Sequence, residues 1–282
     1  MKNAFYPCWL IAQNTFLEAV RQKFFYVLLF LSIALLGTSY YFRHFNFGSS
    51  ELKFIIDFCF GMMVIFGALL AIIITAQLFF SELENRTAIT LLAKPVARWQ
   101  FLIGKFLGVW FLMLAFSLIL SLMITFVLWN REQAFMEIPE VIESLAGKPL
   151  IHYSDIYLYL FLQWIKLGIL SSLTLLIASF SKSNLFTIVV ACFAFIICQI
   201  QYLAKDYYTE FDFFFIRWII GLIGWSFPNF QIFNIGDQLV LESPHRLLIH
   251  AKEYCSIILY GVAYIIAYSL LSVFSFRKRE LS

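Results

Sequence analysis

The longest stretches of this chain without Asp, Glu, Lys or Arg run to roughly 20 residues and are almost wholly apolar, as in VLLFLSIALLG (27–37) and IVVACFAFIIC (188–198). Such a run is what an α-helix needs to cross ~30 Å of hydrocarbon at ~1.5 Å per residue. A transmembrane barrel would show shorter segments of alternating polarity, which these blocks lack. Charged residues make up 13% of the chain and hydrophobic ones 62%, too few charges for a soluble surface. The expected fold is therefore an all-α integral membrane protein.

Six spans are read from the pattern, at about 24–42, 58–80, 106–129, 156–180, 185–203 and 256–275, within a single membrane domain covering 1–282. An even number brings both termini to one side. That side carries Lys2, Arg21, Lys23, Arg86, Lys94, Arg98, Lys105, Lys182, Arg277, Lys278 and Arg279 against Glu18, Glu82, Glu84 and Glu280, whereas the opposite side is net acidic. Basic residues are retained in the cytoplasm, so both termini are expected there, with the protein multi-pass in the cell (inner or plasma) membrane. Residues 1–23 are not a cleavable signal, because Gln13, Asn14, Glu18, Arg21 and Gln22 interrupt them. Trp9, Phe16, Leu17, Val20 and Phe24 recur at helical spacing, so this leader is expected to be an amphipathic interfacial helix with its aromatic face in lipid.

The connection between spans two and three, 81–105, holds the most informative pattern. Ser81 with Glu84 three residues on fits a capping box, Pro95 fits a helix stop, and Leu83, Ile89, Leu91 and Leu92 give an apolar side. A short helix on the cytoplasmic surface is expected. The ordered set Glu82, Glu84, Arg86, Thr87, Leu91, Leu92, Pro95, Arg98, Gly104 and Lys105 resembles the transmembrane subunit of ABC transporters of the ABC-2 type, and the leader, the six spans and the basic tail resemble it too.

This resemblance implies a permease that forms the translocation path as a dimer, with a second permease chain alike or similar. The loop would be a coupling helix seated on a cytoplasmic ABC ATPase subunit, and Glu82, Glu84, Arg86, Thr87, Leu91, Leu92, Pro95 and Arg98 its coupling residues. Export is the direction the resemblance implies. The chain itself is not expected to be an enzyme or to bind a cofactor, with ATP and Mg entering through the partner. Its Gly104-Lys105 pair has Trp99 where a phosphate-binding loop needs Gly and Phe106 where it needs Ser or Thr.

The long outer segment 204–255 contains FFFIRWIIGLIGWSF (213–227) and then Pro228. With Arg217 and only about 15 residues it is short for a span. It is expected to be a re-entrant hairpin before span six, with a second short helix around 230–241, serving as an outer gate or as an interfacial lid. Gln163 and Lys166 share one face of span four, where an ionisable group is costly unless paired. Lys166 is expected either to serve a substrate path or subunit interface, or to pair with an acid such as Asp57 or Asp155. Gly104 and Gly108 form a small-xxx-small pair suited to close helix packing.

The five cysteines include no CxxC pair, and the four histidines lack metal-ligand spacing, so no disulfide framework, metal site or catalytic group is expected. The net charge of +3 is scattered, which excludes a nucleic-acid partner and leaves the lipid bilayer and protein subunits. Two rival readings are weaker. A secondary transporter or channel would carry more intramembrane ionisable groups in repeated halves, and an intramembrane enzyme would group His, Asp or Glu at membrane depth.

Overall fold

A computed structural model describes residues 5–38, 51–84, 97–136, 153–207, 221, 224, 226–234 and 251–278, and among these there is no strand. Among the described residues, seven α-helices are delimited: α1 (Tyr6–Val20), α2 (Lys23–Thr38), α3 (Glu51–Glu84), α4 (Arg98–Met136), α5 (Tyr153–Phe180), α6 (Asn184–Tyr207) and α7 (Ala251–Arg277). A 3-10 turn, Phe230–Phe233, lies between α6 and α7. Five helices, α3 to α7, are long and apolar enough to cross a membrane. The first expected span, 24–42, is represented by α2, whose 16 described residues are short of a full crossing; it counts as a span only when joined to α1, from which it turns by 61°.

No proline or glycine sits at that bend. The helix ends among Arg21, Gln22 and Lys23, where the Gln22 N–H bonds to the Ala19 carbonyl and the Phe25 N–H to that of Gln22, keeping the backbone satisfied through the corner. At the short connection between α5 and α6, Ser181 Oγ bridges to Ser183 by accepting from its N–H at 3.3 Å and donating to its carbonyl at 3.1 Å. Thr187 Oγ1 donates to the same carbonyl at 3.0 Å, so three residues suffice to reverse the chain into α6.

Helix α5 is the centre of the bundle. It packs against α3, α4, α6, α7 and the 3-10 turn, and 83% of its most apolar window is buried, against 22% for α6 and 28% for α7. The contrast follows from side chains: α5 places Ser171, Ser172 and Thr174 inward, each donating its hydroxyl to a carbonyl three or four residues back. Such residues let helices approach closely without stranding a polar group. Helix α6 instead turns Leu185, Phe186, Phe193 and Ile200 outward, as a lipid-facing helix would.

One contact fixes the α4–α5 pair. The indoles of Trp110 and Trp164 stack at 4.4 Å with 11° between planes. Each donates its N–H to the other's backbone carbonyl, at 3.1 Å and 2.9 Å. Gly168 lies beneath, where a Cβ would collide with Trp110 Nε1.

Three sequence expectations are corrected here. Ser81 does not begin a new helix, because α3 runs unbroken through Glu84 and the Ser81 hydroxyl donates back to Leu78; the amides that a capping box would satisfy are already bonded along the helix. The short helix after Pro228 is a 3-10 turn that ends at Phe233, with 235–241 outside the described residues, and Asn229 caps it by accepting from the Gln231 N–H at 2.9 Å. Finally, α1 does not sort aromatic from polar residues as expected. Its buried stripe is the small set Cys8, Ala12, Thr15 and Ala19.

Candidate functional site

That stripe faces the start of α4. A Cβ on Gly104 would meet Ile11 Cβ at 2.8 Å and the Cys8 carbonyl at 3.0 Å, and one on Gly108 would meet the Ala12 carbonyl and Thr15 Cβ at 2.6 Å. The small-xxx-small pair is therefore the seat of the leader. Cys8 Sγ adds a hydrogen bond to the Gln100 carbonyl at 3.2 Å. Gln100 in turn accepts from the Ala97 N–H at 2.9 Å, a reciprocal cap that begins α4 just past Pro95. Trp9 and Leu17 remain exposed on the far side of α1, and Trp9 packs edge-on against Phe111.

The end of α3, the start of α4 and the end of α7 meet at the same end of the bundle. Phe276 is fully buried, packed on Phe79 at 5.8 Å and on Phe101 at 6.1 Å. Arg98 Nη1 donates to the carbonyl of Arg277 at 2.8 Å and reaches that of Phe276 at 3.4 Å, so a guanidinium closes the C-terminus of α7, where the helix dipole favours a cation.

Lys105 lies beneath this cluster with 2% of its surface exposed. Its ammonium is 2.6 Å from Glu82 Oε1 and 3.8 Å from Glu18 Oε2, and it donates to the Leu78 carbonyl at 2.9 Å. A lysine anchoring a span among headgroups would extend its ammonium into water; this one is turned inward and holds α1, α3 and α4 together. Charge was the available signal, since Glu18, Glu82 and Lys105 are among the few ionisable residues at this end. Their sequence separation hid the meeting.

Of the expected coupling residues, Glu82 is thus turned toward Lys105, Glu84 is exposed at the end of α3, and Arg98 sits on α7. Arg86, Thr87, Leu91, Leu92 and Pro95 lie outside the described residues.

A second polar group occupies the middle of α5. Lys166, 1% exposed, donates to Asn234 Oδ1 at 3.0 Å, and Gln163 Nε2 reaches the same oxygen and the Phe233 carbonyl at 3.3 Å. Its ammonium also lies 5.4 Å from the centre of the Phe230 ring. Asp57, by contrast, is exposed, so the expected ion pair with it is replaced by a neutral carboxamide; the side chain of Asp155 lies outside the described residues.

Further bonds tie the segment before α7 into the bundle. Gln201 donates to the Gly224 carbonyl at 2.8 Å, Tyr268 to that of Ser226 at 2.8 Å, and the Asn229 N–H to the Tyr260 hydroxyl at 2.9 Å. Phe230 and Phe233 are fully buried. The described part of 204–255 is thus inserted among α5, α6 and α7. Asn234, the residue that receives both polar side chains of α5, carried no sequence signal beyond lying shortly after Pro228.

Among the described residues no group of three His, Cys, Asp or Glu could hold a metal. Curated proteins gave no match to the chain. The profile of the ABC-2 family transporter protein matches residues 9–206, which takes in the leader, its glycine seat, Lys105 and the helices through most of α6. A match over more than half of 282 residues, on a chain of apolar helices gathered around that seat, places the protein: it belongs to the ABC-2 transporter family, as a multi-pass membrane component.

Proposed function

We propose that the chain is the permease subunit of an ATP-driven ABC transporter, forming the translocation path with a second permease chain and docking separate cytoplasmic ATPase subunits. The observation that carries this reading is the platform at one end of the bundle. There the leader α1 is seated on Gly104 and Gly108, and Lys105 ties it to the end of α3, from which residues 85–96 depart. A segment pushed from outside can move the bundle only if it is joined to it stiffly, and this end is. Exposed Glu84 and the sequence Arg86, Thr87, Leu91, Leu92, Pro95 supply the docking face, with Glu82 and Arg98 bracing it from within.

Positive charge on the leader, the 81–105 connection and the tail puts this end in the cytoplasm of the inner or plasma membrane. ATP and Mg are bound by the partner, whose closure moves the platform and switches access, with export the default direction. The segment around Phe230–Phe233, held by Lys166 and Gln163, closes the path on the other side.

The test is to purify the tagged chain from its native membrane in gentle detergent and identify what accompanies it. A stoichiometric ATPase with a phosphate-binding loop is expected, and its absence overturns the reading. Replacing Glu84 and Arg86 by Ala should weaken that association about tenfold, in line with the loss of ~1–2 kcal/mol of charged contacts.

A further inference from the structure

Two features of the platform make one side chain its mechanical junction. The first is the seam between α1 and α4, where the backbones approach so closely that a Cβ at Gly108 would stand 2.6 Å from the Ala12 carbonyl. Helices in such contact cannot slide or roll past one another, so α1 and the start of α4 move as a unit. The second is how α3 is fastened to that unit. Glu82 Oε1 and the Leu78 carbonyl, both from the last turns of α3, take two donors of the Lys105 ammonium at 2.6 Å and 2.9 Å. The carboxylate of Glu18, from α1, stands at 3.8 Å.

One ammonium thus faces two carboxylates on different elements, close to one and a step away from the other. Glu82 is 12% exposed and Glu18 34%, so both pairs are sheltered enough for attraction to exceed that of a solvated surface pair. A shift of the end of α3 lengthens the first link and leaves the second free to shorten. Two carboxylates on different elements within reach of one buried cation are what an exchange of partners requires.

We infer that Lys105 is the positioning residue that transmits movement of the 85–96 segment to the leader α1, by exchanging its close partner between Glu82 and Glu18. This rests on the coupling reading above, and its test separates the two. The complex of chain and ATPase, in lipid nanodiscs, is followed by amide hydrogen exchange without nucleotide and with ATP, Mg and vanadate. In the unaltered complex, trapping is expected to change exchange in both 85–96 and 6–20. In Lys105→Met the 85–96 response persists, while the 6–20 response falls by about fivefold or more. Lys105→Arg, which keeps the charge, restores the leader response. Glu18→Gln touches only the longer contact of a half-buried residue and lowers the leader response alone, by about twofold at the weak end of such coupling.

A full leader response in Lys105→Met overturns the inference. Should Lys105→Met fail to assemble, Glu18→Gln decides, and an unchanged leader response there overturns it equally. A missing 85–96 response in the unaltered complex overturns the coupling reading, and the inference with it.

Discussion

Lys105 and Lys166 are exposed by 2% and 1%, yet the bundle treats them in opposite ways. At the platform, Lys105 meets a carboxylate at 2.6 Å, a second at 3.8 Å and a backbone carbonyl. In the middle of α5, roughly 20 Å from either helix end at ~1.5 Å per residue, Lys166 meets one carboxamide oxygen and an aromatic face. No carboxylate pairs with Lys166 among the described residues. Carboxylates can be supplied cheaply near a helix end, where water reaches them before the partner is found. At membrane depth each added charge costs several kcal/mol, and a neutral acceptor avoids a second one. The first lysine therefore binds elements together by charge, and the second holds Asn234, just after the 3-10 turn, by a charge-assisted hydrogen bond.

Removing the two ammonium groups should sharpen this contrast most. Lys105→Met leaves Glu82 buried beside an apolar side chain and is expected to cost about 3–5 kcal/mol of stability in SDS-titrated unfolding. A loss below about 1 kcal/mol would show that the pair contributes little and that the platform is held by packing alone. Next in size is Asn234→Ala, which deprives Lys166 and Gln163 of their shared oxygen. The expected loss is about 1–3 kcal/mol, toward the upper figure because one donor is charged. Faster proteolysis of 224–234 should accompany it.

Gly108→Val tests the seam that makes the platform stiff. Its side chain would press on the Ala12 carbonyl and Thr15, at an expected cost of about 1–3 kcal/mol. Cys8, 4% exposed in the seated leader, should become reactive to maleimide. Protection of Cys8 equal to that in the unaltered chain would mean that the leader is held elsewhere. The smallest effect is expected for Lys166→Met. Asn234 Oδ1 keeps its bond from Gln163, and the loss of an uncompensated buried charge offsets the lost hydrogen bond, for a net change within about 1 kcal/mol. If Lys166→Met and Lys105→Met cost the same, the contrast between the two lysines fails.

Particular residues mark where sequence reading succeeded. Apolar runs located α3 to α7 because a helix in hydrocarbon must be apolar along its whole length, whatever packs beside it. Gly104 and Gly108 were recognised as a packing pair, although their partner was not identified. The partner is the leader, through the small stripe Cys8, Ala12, Thr15 and Ala19, whose residue types give a weaker helical pattern than the aromatic residues beside them. Likewise the spacing of Ser81 and Glu84 suggested a helix start, and only the hydrogen bonds of α3 show that the helix was already under way.

The sequence by itself determined that this is a multi-span helical membrane protein, and through an ordered set of residues in 81–105 it pointed to the family. Those properties are local: hydrocarbon acts on every residue of a span, and a loop motif is read along the chain. Tertiary structure alone decided that Glu18 shares Lys105 with Glu82, that Arg98 closes α7 rather than facing outward alone, and that Asn234 answers Lys166. Each of these joins residues far apart in the chain, and a short-range polar bond leaves no period or spacing in a sequence from which its partner can be found.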